Sequence, residues 1–152
     1  MTDSTTPTVD DTLARMDQGW SAFHGRVTSI PTERLANRIG DGWTRKQMLA
    51  HIATWHDLTV ERLSRFVDSG EPAELAEHED AINARAARAA EGRTTGEILL
   101  AMADSYRRLR REVATLTDPH LAAHDGWAAS VIAGNSYDHY TDHLADLEQA
   151  RR

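Results

Sequence analysis

The sequence predicts an all-α protein folded as an antiparallel four-helix bundle. Three observations carry that prediction. Along four long segments, apolar residues recur at alternating steps of three and four, the spacing that lines one face of a helix. Two of those segments open on a capping box, Thr44 with Gln47 and Thr94 with Glu97, where each side chain serves the other residue's backbone N–H. No stretch shows the convincing apolar–polar alternation of a half-buried strand, and connectors join the four segments into one bundle.

The first nine residues, polar and acidic, read as a flexible tail, and residues 10–152 as one domain. From about Asp10, the series Leu13, Met16, Trp20, Phe23, Val27 and Ile30 marks the first helix, which Pro31 ends because it pushes the residue before it out of helical geometry. A connector follows, with Leu35 and Ile39 as core contacts and Gly40-Asp41-Gly42 as a turn. Trp43 and Met48 flank the Thr44 cap as a hydrophobic staple. The second helix then runs through Leu49, Ile52, Trp55, Thr59, Leu63 and Phe66 to a stop at Gly70 before Pro72. Residues 73–91 have high helix propensity but almost no large apolar group besides Ile82, which predicts a short, partly exposed helix crossing the bundle. Leu99, Met102, Tyr106, Leu109, Val113 and Leu116 mark the third long helix, ending near Asp118-Pro119. The fourth runs from Ser130 to the carboxyl end, with Ile132, Ala133, Tyr137, Tyr140, Leu144 and Leu147 in its apolar stripe.

Composition narrows the function. The 152 residues include no cysteine, which excludes disulfides, thiolate metal sites and a cysteine nucleophile, so any metal must be held by nitrogen and oxygen. A formal charge of -7 and a pI near 5.5 argue against nucleic-acid binding. Arg107, Arg108, Arg110 and Arg111 share their helix with acids and read as a solvated surface. No run approaches the ~20 apolar residues of a membrane span, and the amino terminus lacks the pattern of a signal peptide. A cytoplasmic protein with no membrane partner is the expectation.

The chemistry concentrates in histidines. His139 and His143 are one helical turn apart, so both rings can face one metal ion from a margin of the apolar stripe. Two ligands are too few, because a catalytic zinc-type site usually takes three protein ligands and keeps one open position. A solvated pair at a helix margin is the competing reading. His51 and His56, five apart on the second helix, point in different directions; His56 falls within the apolar face and His51 at its margin. His120 and His124 form a second pair spaced by four, but Gly126 follows closely and puts them on a short turn, a poor scaffold for ligands. His24 reads as a packed or half-exposed residue. Asp138 and Asp142 project away from the histidine face, and no general base can be named.

Two segments resemble a known family. Gly42-Trp43-Thr44-Arg45-Lys46-Gln47-Met48-Leu49-Ala50-His51-Ile52-Ala53 resembles the second-helix motif of the DinB-like superfamily, and Asn135-Ser136-Tyr137-Asp138-His139-Tyr140-Thr141-Asp142-His143-Leu144 its last-helix motif. The resemblance implies a DinB-like four-helix bundle over residues 10–152, a divalent metal held by His51, His139 and His143, and a homodimer. Within the superfamily, the second-helix wording is similar to mycothiol-dependent maleylpyruvate isomerases. The last-helix wording and Asp80-Ala81-Ile82-Asn83 are similar to small stand-alone proteins that include colibactin self-protection proteins. With residues 10–152 read as one domain, the additional carboxy-terminal domain that some mycothiol-linked members carry is not expected.

Three neutral imidazoles leave a zinc or nickel ion its positive charge and an open position, where water or a thiol ionises more readily. The expected function is therefore metal-dependent hydrolysis or thiol transfer on a small molecule, with a low-molecular-weight thiol of the mycothiol or bacillithiol type as a second cofactor. Two alternatives stay open: a non-enzymatic bundle that sequesters a small molecule for self-protection, and a dimerising scaffold with incidental histidines. Trp43, Trp55, Asn83, Trp127 and Tyr140 are the candidates for a substrate pocket over the metal, and each also has an ordinary reading in the core or at the surface.

Overall fold

The computed structural model describes residues 6–39 and 42–149 as a helical bundle. Its helices are α1 (Val9–Thr28), α2 (Arg45–Ser69), α3 (Glu79–Glu91), α4 (Thr95–Ala114), α5 (Asp118–Gly134) and α6 (Tyr137–Gln149), with a 3-10 turn at Thr32–Ala36. α2 packs along α4, α4 along α1, and α1 along α6, while α3 lies across α2. α2 and α6 are not among the closely packed pairs of described residues, and the seam between them holds the site described below.

Each long helix starts where its sequence provides a cap. Thr44 with Gln47 and Thr94 with Glu97 form the expected boxes. Thr8 with Asp11 and Thr117 with His120 add two that the sequence reading passed over. α1 therefore begins at Val9, inside the expected tail, and the Val9 N–H donates to the Asp118 carboxylate at 2.8 Å. Gly70 ends α2 with φ at 78°, a left-handed conformation that glycine adopts without steric cost.

Three expectations need correction or fall outside view. The third long helix turns Ile98, not Leu99, into the core: Ile98 is 1 % exposed, whereas Leu99 is only partly buried. The last helix is not continuous from Ser130. It breaks at Asn135 and Ser136, and the Asn135 side chain caps the carbonyl of Val131 at 2.8 Å. In the expected turn at Gly40-Asp41-Gly42, the first two residues lie outside the described ones.

The connector nevertheless grips the start of α2. Ile39 N–H donates to the Trp43 carbonyl at 2.7 Å, and Arg45 N–H to the Asn37 carbonyl at 3.0 Å. The Arg45 side chain is 1 % exposed. It donates to the carbonyl of Arg34 at 2.9 Å and, at 3.4 Å, to that of Leu147 near the end of α6. One buried guanidinium thus ties α6 to the first turn of α2.

A titratable side chain also sits deep in the largely apolar core. His56 is fully buried, with Nδ1 2.8 Å from Ser105 Oγ and Nε2 2.6 Å from the Tyr140 hydroxyl. Ser105 spends its proton on the Met102 carbonyl, so it accepts from His56 Nδ1, and His56 Nε2 accepts from Tyr140. A neutral imidazole satisfies every partner, which is the condition for burying one. Trp20 packs against this group, edge-on to His56 and stacked on Tyr106 at 4.5 Å.

α1 and α6 approach through Gly19, where an added Cβ would come within 2.9 Å of Tyr137 Cβ. Gly19→Val is therefore expected to destabilise the fold by about 1–3 kcal/mol through overpacking, despite valine's better helix propensity. A lower urea midpoint with an unchanged m-value is the expected readout.

Candidate metal centre

The capped start of α2 and the regular turn of α6 bring three histidines from opposite ends of the chain together. His139 Nε2 lies 2.9 Å from His51 Nε2 and 3.0 Å from His143 Nε2, and the three donor nitrogens all fall within 4.8 Å of one another. Ligand nitrogens around a single tetrahedral ion stand about 3.3 Å apart, given metal–nitrogen bonds of 2.0–2.1 Å. The cluster is within a few tenths of an ångström of that spacing at two of its contacts.

Neighbouring side chains fix which nitrogens carry protons. Asn83 Oδ1 accepts from Trp55 Nε1 at 2.7 Å and faces His51 Nδ1 at 2.9 Å. Indole nitrogen only donates, so the Asn83 atom there is oxygen and His51 Nδ1 bears the hydrogen. His143 Nδ1 faces the Asp146 carboxylate at 2.9 Å and bears its hydrogen for the same reason. In their neutral forms both rings therefore aim bare lone pairs at His139 Nε2, which can hold one proton at most.

Protons alone cannot complete this cluster unless His51 and His143 are both cationic. Burial, and then the nearby charge of His143, hold the His51 pKa down at about 4. Burial first, then the charges of His143, His51 and His56, hold His139 at about 3. A divalent cation accepting all three lone pairs removes the conflict, so the donor set fits a metal ion. Asn83 and Asp146 serve as the outer partners that set tautomer and orientation in histidine sites.

His51 and His139 open onto a cleft of about 410 Å³. α2 contributes Trp55 and Arg62 to its lining, α3 contributes Glu79 and Asn83, and the α5–α6 junction contributes Asn135. His143 and Asp146 instead border a second recess of about 330 Å³, with Trp43, Met48 and Ile39. Trp43 also packs at 5.1 Å from the His51 ring.

Of the five predicted pocket residues, Trp55 and Asn83 line the main cleft and Trp43 lines the neighbouring recess. The other two lie elsewhere. Tyr140 is 1 % exposed and turned inward onto His56, because it sits about 100° round the helix from His139, on the core side. Trp127 is not among the cleft-lining residues; it packs on Phe66 at 5.2 Å with Arg62 above its ring. Asp138 and Asp142 are exposed, as the helix projection expected.

The competing pair has structural work of its own. His120 accepts from the Thr117 cap through Nδ1. His124, at φ 52°, lies within the break in α5 and donates through Nε2 to the Gly70 carbonyl at 2.8 Å.

Several site residues escaped the sequence reading, although some were one helical step away. Asp146 is three residues after His143 and Glu79 four before Asn83, and such pairs share a helix face, whereas Asn135 stands at the break before α6. Leu75 comes from irregular chain and left no periodic signal.

Asn83→Leu is expected to weaken divalent-metal binding by about 10–100-fold, the usual cost of losing an outer partner. Asn83→Asp, which keeps an acceptor for His51, should retain most of the affinity in a chelator-competition titration.

No curated protein and no solved structure matches this sequence significantly. The family model of the DinB superfamily, however, matches residues 15–147, a span that includes all three converging histidines and the capped start of α2. With a helical bundle and a three-histidine cluster able to hold a metal ion, the chain belongs to the DinB superfamily.

Proposed function

We propose that the protein is a metal-dependent enzyme acting on a small molecule, with one divalent ion, zinc or nickel, held by His51, His139 and His143. The observation that carries this reading is the shortage of protons at His139 Nε2, where two rings with outward-facing hydrogens both direct lone pairs. When bound there, a divalent ion makes a water or thiol in its open position a nucleophile near neutral pH. Asn83 and Asp146 fix the tautomers and the aim of His51 and His143, and burial, which depresses the pKa values of His51 and His139, keeps protons from competing for their nitrogens.

Between hydrolysis and thiol transfer, the cleft lining favours transfer. Its carboxylate among the described residues is Glu79, which is exposed, so the cleft offers no buried general base to an attacking water. A low-molecular-weight thiol of the mycothiol or bacillithiol type would depend less on a base, since a bound metal would acidify a thiol more completely than a water and solvent could take the proton. The same lack of a base supports a second reading, a bundle that sequesters an electrophile stoichiometrically.

Tag-free protein should purify with, or take up, about one equivalent of metal per chain. Metal-loaded protein offered a thiol with an electrophilic acceptor should turn over many equivalents. Consumption that stops at one equivalent supports the sequestering reading, and failure to bind zinc or nickel at all defeats the metal site.

A further inference from the structure

The cleft beside the histidines is longer than metal chemistry requires. On α2, Arg62 follows His51 by eleven residues, about 16 Å of helical rise, and returns to within about 20° of the same face. Both residues line the same cleft.

Arg62 is held in place yet not used up. Its Nε donates to the Ala73 carbonyl at 2.9 Å, and its guanidinium carbon lies 5.4 Å from the centre of the Trp127 ring. These two contacts hold the group from its edge and its face. Neither terminal nitrogen has an acceptor among the described residues. Burial is the main influence on this side chain, ahead of the charges of Glu74 and Arg65, and no ion pair among the described residues neutralises it.

We propose that Arg62 anchors a carboxylate at one end of an elongated ligand whose other end reaches the three histidines. Two parallel N–H donors match a planar carboxylate in bidentate fashion. Partial removal from water strengthens such a pair relative to a surface contact. Trp55, one turn beyond His51 toward Arg62, offers an apolar middle section with Leu75. Glu79 on another wall contributes a negative charge to the same cleft, which disfavours a dianionic phosphate and favours a single carboxylate. The substrate class is thus a small monocarboxylate with its reactive or metal-seeking group at the far end. The assignment rests on the metal-dependent reading above, and the test separates the two.

Cobalt(II)-loaded protein should be titrated with a homologous series of straight-chain ω-mercaptoalkanoates, their primary amides and the matching phosphates, following the thiolate–cobalt absorption. The acid should bind at least about tenfold tighter than its amide at one preferred chain length. Arg62→Gln should bring acid and amide to within about twofold, while cobalt uptake and 2-mercaptoethanol binding stay as in the parent. Arg62→Lys should restore part of the preference. Equal binding of acid and amide by the parent, an acid preference that survives Arg62→Gln, or tighter binding of the phosphate each overturns the proposal. If the protein takes up no cobalt, the metal reading fails instead, and hexanoate against hexanamide then tests Arg62 through the Trp55 and Trp127 indole resonances. An Arg62-dependent shift produced by hexanoate alone upholds the anchor, and its absence removes it.

Discussion

His143→Ala is expected to lower divalent-metal affinity by more than about 100-fold, since losing even an outer partner costs 10–100-fold. The metal-free variant should match the parent in stability to within about 1 kcal/mol. The two halves of this result have one cause. His143 borders a recess rather than the deep core, with its side chain 17 % exposed, so its removal leaves little cavity. It also removes one of the two lone pairs crowding His139 Nε2, after which His139 can donate its proton to His51. A residue that served packing would show the opposite pattern, with stability lost and no metal to lose. Chelator competition and urea unfolding on the same samples read both halves, and a variant that keeps stoichiometric, tightly bound metal would falsify the ligand assignment.

Acid should produce the other large effect, in the metal-free protein. Burial, and then the charge of Arg108, hold the pKa of His56 at about 3 against 6.5 in the unfolded chain. Between those values the unfolded chain binds a proton that the folded chain refuses, so stability rises with pH. The contribution is complete above about pH 6.5 and is lost progressively as the pH falls toward 3, at about 1.4 kcal/mol per pH unit for each such proton. His51 and His139, held at about 4 and about 3, act in the same direction. Two or three protons over two pH units amount to several kcal/mol, against a total stability of about 5–15 kcal/mol for a domain. The urea midpoint should therefore drop steeply from pH 7 to pH 5. His56→Gln, though less stable at pH 7, should give a slope shallower by about one proton. A midpoint that does not move over this range would contradict the neutral, buried state of His56.

The histidines also mark how far one-dimensional reading reaches. His56 was legible as buried because its position in the 3.6-residue period of α2 left it no other face, and it is fully buried. His139 and His143 were legible as a pair because four residues make one turn. Membership of His51 came from the resemblance of its segment to a family motif and not from periodicity, which left it at a margin. Tyr140 was misplaced since an aromatic next to a ligand looks like a pocket wall until its hydroxyl is found on His56, 84 residues away in sequence. The break at Asn135 was invisible because Ile132, Ala133 and Tyr137 keep an apolar rhythm across it, and a side-chain cap interrupts the helix without disturbing that rhythm.

By itself the sequence determined the all-helical architecture, the starts of α2 and α4, the core faces and the turn-spaced histidine pair. All of these follow from contacts within a few residues, which periodicity and capping report directly. Only the tertiary structure decided that Asn83 and Asp146 leave the histidines two lone pairs with too few protons, and that Arg62 opens into the cleft His51 lines. Those facts depend on α3 crossing α2 and on α6 standing off from it. Helix docking of that kind is a sum of many weak contacts between distant residues, and no local pattern encodes where a side chain from one helix meets the next.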